Sequence, residues 1–79
     1  MSPTVKRIGS YRFLFFSNEG FEPPHIHVQE AHKPAQFWLG HVRLASSTGF
    51  AAHELTHLRN LVEESKTEFL ECWNEYFGS

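Results

Sequence analysis

Residues 50–77 contain neither glycine nor proline. In a chain of 79 residues, this leaves the first 49 to supply every other element of the fold. Leu55, Leu58, Val62, Phe69, Trp73 and Tyr76 recur at steps of three and four, with polar Ser65 interrupting the series. That is the period of a helix with one apolar stripe. Leu61, Leu70, Cys72 and Phe77 widen the stripe, and Gly78 stands where a helix stops. A straight helix over this span would be roughly 40 Å long at 1.5 Å per residue, too long for so small a domain. The sequence therefore predicts either a bend at Glu63–Ser65 or a helix end that packs on a partner.

The preceding residues read as strands broken by turn formers. Val5–Arg7 has strand character, Gly9-Ser10 is a hairpin signal, and Tyr11–Ser17 is a strand apolar on both faces. Asn18–Pro24, with its glycine and paired prolines, is a loop. His25–Glu30 follows as a strand, Ala31–Pro34 reverses the chain, and Ala35–Leu39 is the next strand. Gly40 breaks it, and His41–Ala45 is a short edge strand. The expected fold is a single α+β domain spanning residues 1–79. It has a small antiparallel sheet of three to five strands followed by a long C-terminal helix, continuous or bent, packed on one sheet face. The core is expected to set Phe13 or its neighbours, Ile26, Val28, Phe37 and Leu39 against Leu55, Leu58, Val62, Phe69 and Trp73.

A chain this short buries only about 60% of its unfolded surface. Its two tryptophans, two tyrosines and eight phenylalanines make up for that, because each buries a large area. Cys72 is the lone cysteine, so no internal disulfide forms. No apolar run approaches the roughly 20 residues that span a bilayer, and Met1–Arg7 lacks the apolar stretch of a signal peptide. The expected location is the cytoplasm, with no membrane association. The net charge of −2 is unevenly spread. Residues 1–45 hold Lys6, Arg7, Arg12, Lys33 and Arg43 against Glu19, Glu22 and Glu30, a net +2. Residues 46–79 hold Arg59 and Lys66 against six glutamates, a net −4. The first half suits a phosphate backbone and the second repels one.

The residues best suited to chemistry lie in Pro23-Pro24-His25-Ile26-His27. Alternation on a strand sends both imidazoles to one side, about 7 Å apart at Cα, and away from the helix. They suit acid–base catalysis or RNA contact near neutral pH, a metal, or a purely structural role. A metal needs a third ligand from His32, His41, Glu22 or Glu30, and no short motif supplies one, so no metal is assigned. Arg7 and Arg12 flank the Gly9-Ser10 turn and can fork onto phosphate, with Tyr11 beside them to stack or donate. Salt bridges from Arg12 to Glu30 or Glu22 are the plainer alternative. Trp38 is a stacking platform, a cover for the second sheet face, or a partner contact. No motif implies a cofactor. His53-Glu54-Leu55-Thr56-His57 formally matches H-E-x-x-H, but no third ligand or substrate cleft follows it. Cys72 lies among acidic residues, which raise a thiol pKa, so nucleophilic catalysis is not expected.

The chain resembles the domain-of-unknown-function 4160 family of small bacterial proteins. The resemblance lies in Thr4–Phe13, Phe16-Ser17-Asn18-Glu19, Glu22–Val28, Ala35–Leu39, Gly49-Phe50, Leu61-Val62-Glu63-Glu64 and Trp73–Phe77. Its most specific block is Pro-Pro-His-Ile-His-Val. It implies a protein encoded beside a small partner of the domain-of-unknown-function 2442 family. Such pairs are similar to type II toxin–antitoxin modules, with this chain as the toxin. Two departures stand out. Ala51 replaces the serine usual before the helix, so that either Ser47 or Thr48 caps it or the helix end frays, and Ala31–Pro34 lacks the commoner glycine.

Three functions follow as expectations. The first is a toxin-like protein acting on RNA or translation. In a ribonuclease version His25 and His27 would be the acid and base, with Arg7, Tyr11, Arg12 and Trp38 on substrate or phosphate. The second is a non-catalytic module that binds a cognate antitoxin-like protein through the acidic helix or a sheet edge, as a homodimer or hetero-oligomer. The third is a histidine-based metal-binding protein.

Overall fold

Gly9 has a φ of 58°, the left-handed conformation that lets the first strand fold back on the second. The computed structural model describes residues 4–78; Met1–Pro3, part of the opening segment read above, and Ser79 lie outside the described residues. The strands are β1 (Thr4–Ile8), β2 (Tyr11–Leu14), β3 (His25–Glu30), β4 (Lys33–Trp38) and β5 (Arg43–Ser47). They form one antiparallel sheet in chain order, β1-β2-β3-β4-β5.

Several strand boundaries differ from the sequence reading: the strand read as Tyr11–Ser17 ends at Leu14, and those read as Ala35–Leu39 and His41–Ala45 are Lys33–Trp38 and Arg43–Ser47. The β3–β4 turn is tighter than expected, because Pro34 pairs with Gln29 and Lys33 with Glu30. Proline fits there because its bonding edge faces away from β3, where its carbonyl accepts from Thr48 N–H at 3.0 Å, so its missing N–H removes no bond to β3. The last strand begins at Arg43 instead of His41, since residues 39–42 form the turn.

Two helices follow, α1 (Ala52–Glu64) and α2 (Lys66–Phe77). The expected bend falls at Ser65, with φ −103° and ψ 11°. Its N–H is shared between the carbonyls of Leu61 and Val62, and its own carbonyl accepts from Phe69 N–H, so the hydrogen bonding passes through the kink. The molecule measures 34 Å along its longest axis, shorter than the unbroken helix would be. Gly78 closes α2 in the left-handed region, with φ 67°.

The helix stripes cover one sheet face. Phe13, Ile26, Val28, Ala35, Phe37 and Leu39 are buried against Leu58, Val62, Phe69 and Trp73, with Leu55 partly buried beside them. Register then sends Arg7, Arg12, Leu14, His27, Gln29, Gln36, Trp38 and Arg43 to the other face. Among the described residues, no helix is long and apolar enough to cross a membrane.

Candidate functional site

The chain leaves the sheet after Leu14 and returns at His25 through a loop that folds over the start of β3. The loop turns at Phe16–Glu22, where Glu19 N–H donates to Phe16 O and Glu22 N–H to Glu19 O. Gly20 lies against the Phe77 ring so closely that an added methyl group would overlap it. The loop is thereby held on the end of α2, and it brings the Glu19 carboxylate in front of two imidazoles. Glu19 Oε1 stands 2.8 Å from His25 Nε2 and 2.7 Å from His27 Nε2.

The two histidines have unequal surroundings. The His25 side chain is fully buried, its ring 5.0 Å from Trp73 and 5.6 Å from Trp38 between centroids. Its Nδ1–H donates to the Pro23 carbonyl at 2.9 Å. The His27 side chain is 14% exposed and its ring packs, tilted by 60°, against Phe16 at 4.2 Å between centroids. Burial pushes its pKa down, and the Glu19 carboxylate only partly offsets this. For Glu19, burial pushes the carboxyl up, but the hydrogen bonds from His25 and His27 together outweigh it and hold the group below its ordinary value.

This corrects the expectation of two open imidazoles facing away from the helices. At the strand's first residue, His25 is sealed between a tryptophan of β4 and one of α2, so only His27 of the pair reaches solvent. Glu19 was missing from the candidate ligands. Its six- and eight-residue offsets from the histidines carry no strand or helix period, and the loop alone brings it near. Glu22, which was a candidate, lies 3.9 Å from His25 Nδ1.

The other predicted residues divide between the two faces. Arg7 and Arg12 are cross-strand neighbours on the face opposite the helices. Arg12 donates to Thr4 Oγ1 at 2.7 Å and Gln29 Oε1 at 3.3 Å. Glu30 instead meets Ser10 and Lys33. Tyr11 lies on the helix side, 6.1 Å from His57 and 6.5 Å from Phe50, and so is parted from the two arginines. Its pKa is raised by burial and by the charges of Glu30 and Glu54. Trp38 is edge-on to His25 and lines an open cleft of about 360 Å³ with Pro23, Pro24, Gly40, His41 and Arg43.

The formal H-E-x-x-H segment is a helix surface. His53 and His57 are exposed, Glu54 is bonded to Ala51 N–H and Lys33, and among the described residues no third ligand joins them. Cys72 has its pKa raised by burial and by Glu75, Glu68 and Glu71, as its acidic surroundings predicted.

A family model described as a domain of unknown function (DUF4160) matches residues 10–74, a span that holds Glu19, His25 and His27. No curated protein and no solved structure matches the chain.

Proposed function

The chain belongs to the DUF4160 family, and on that premise we propose that it is a toxin-like protein that slows growth by binding single-stranded RNA across the sheet face opposite the helices. The supporting observation is the sorting of charge between two layers. Arg7, Arg12 and Arg43 share one face with Gln29, Gln36, His27 and Trp38. The glutamate-rich helices form the opposite layer. Arginines that fork onto phosphates, amides for base edges and an aromatic ring for stacking make a suitable single-strand platform. The reading is one of contact rather than two-histidine catalysis, because the buried His25 ring does not reach a ribose hydroxyl. A small antitoxin-like partner would silence the protein by covering that face or the exposed edge strand β5.

Arg7 and Arg43 are both exposed, so their replacement leaves the core intact. Induced expression of the wild type should arrest growth, and Arg7→Glu/Arg43→Glu should relieve the arrest. In fluorescence anisotropy with a labelled single-stranded RNA, log affinity should fall with log salt by roughly 0.7 per phosphate contact. The double variant should flatten that slope. Equal arrest and equal slopes for the two proteins would reject the sheet-face reading.

A further inference from the structure

Glu19, His25 and His27 each offer a ligand atom within 4.8 Å of the others, and Glu19 Oε1 stands 2.8 Å from His25 Nε2 and 2.7 Å from His27 Nε2. We propose that these three residues form a binding site for one divalent transition cation of the Zn²⁺ class, at the edge of the face assigned to RNA and testable without RNA. Two imidazoles and one carboxylate make a borderline donor set that suits Zn²⁺ and its neighbours over Mg²⁺ or Ca²⁺, which take oxygen ligands. Three protein ligands are also the number found in zinc sites that keep a fourth position for water or another ligand.

The hydrogen-bond roles at His25 carry the inference beyond proximity. A carbonyl oxygen only accepts, so the bond to Pro23 O fixes the proton on Nδ1. Nε2 is then the nitrogen left for either a hydrogen bond to Glu19 or, as a lone pair, a metal ion. Metal-bound histidines characteristically donate their other ring N–H to a carbonyl or carboxylate in this way, which orients the ring. Here the orienting carbonyl belongs to the first of two consecutive prolines, a rigid segment. His25 Nε2 faces Glu19 Oε1 at 2.8 Å. Two acceptors at that distance repel unless a cation, either a proton or a metal ion, lies between them.

The surroundings fit a metal. Ligand atoms of a tetrahedral centre with bonds of about 2.1 Å stand about 3.4 Å apart. The observed separations of 2.7 and 2.8 Å would therefore have to open by about 0.6 Å. Glu19 sits on a loop with its side chain 21% exposed, so it can make that adjustment. Trp38, Trp73 and Phe16 wall the site with apolar rings, which limits competing water. His27, partly exposed, leaves an approach from solvent.

The test uses the untagged full-length protein, with Zn²⁺ alone in isothermal titration and Co²⁺ as a spectroscopic substitute. One equivalent should bind, and the thermal midpoint should rise with added Zn²⁺. Tetrahedral Co²⁺ should give intense visible bands with no thiolate charge-transfer band, since Cys72 is not a ligand. Glu19→Gln and His27→Ala should each lower Zn²⁺ affinity by at least about 100-fold. Circular dichroism checks that both remain folded, and neither change removes the buried His25 ring. His53→Ala/His57→Ala should bind as the wild type does. Absence of stoichiometric binding would overturn the proposal, leaving a shared proton between His25 and Glu19. So would retention of binding in Glu19→Gln and His27→Ala, or binding of Mg²⁺ with equal strength.

Discussion

Ala31 has a φ of 54°, the only positive value at a non-glycine among the described residues. It opens the tight turn between β3 and β4, a position where a side chain costs about 1–2 kcal/mol relative to the right-handed region. Replacing it with glycine removes that strain but adds freedom to the unfolded chain. Ala31→Gly should therefore raise stability by about 0.5–1 kcal/mol, read as a higher urea midpoint with an unchanged slope. A lower midpoint would mean that the turn is not strained. The same scale separates what was legible in the sequence from what was not. The shared side of His25 and His27 followed from strand alternation. Glu19 did not, because its place depends on Gly20 fitting against Phe77, a contact between residues far apart in the chain.

The start of α1 shows how one element holds together with an incomplete cap. Ala51 occupies the N-cap and has no side-chain acceptor, and the expected substitutes Ser47 and Thr48 do not take its place: β5 ends at Ser47, and Thr48 N–H is used on Pro34. Half of a capping box survives, because Glu54 Oε1 accepts from Ala51 N–H at 3.0 Å. Ala51→Ser should complete the box and stabilise the protein by about 1 kcal/mol, measured by chemical denaturation. Glu54 also reaches Lys33 at 3.3 Å, tying α1 to the sheet. The Ala51 N–H first, and Lys33 second, hold its carboxyl below the ordinary value. A carboxyl depressed on folding stabilises the native state above its unfolded pKa, and that contribution fades as pH falls through the folded value. Glu54→Gln should thus lower the thermal midpoint at pH 7, and the gap from wild type should narrow as pH drops below the carboxylate range. A constant gap would exclude charge as the cause. The helix stripe, the bend at Ser65 and the stop at Gly78 were all readable, since each rests on local period or backbone preference. The shifts in β4 and β5 were not, because they arise from the pairing of Pro34 with Gln29 and from a turn at residues 39–42.

Across the whole molecule, one apolar layer joins strands β1–β4 to two helices, and its stability depends on few side chains. A chain of 79 residues has a total folding stability of roughly 4–12 kcal/mol. Phe13 is fully buried on β2, pairs across the sheet with Val28, and meets Phe69 of α2 at 5.4 Å. Truncating such a ring removes its transfer energy and leaves a cavity, at a cost of about 3–5 kcal/mol. That is a large fraction of the total. Phe21 offers the contrast, since it is 86% exposed in the loop between β2 and β3 and its loss should shift stability by no more than about 0.5 kcal/mol. The sequence pattern anticipated the core partners of Phe13, because strand and helix periods both point their apolar residues inward. The prediction is that Phe13→Ala loses most of its cooperative thermal transition near 37 °C, while Phe21→Ala unfolds like the wild type. Similar midpoints for the two variants would mean that the helices and the sheet do not share one core. In that case the kink at Ser65 would have no packing reason to exist.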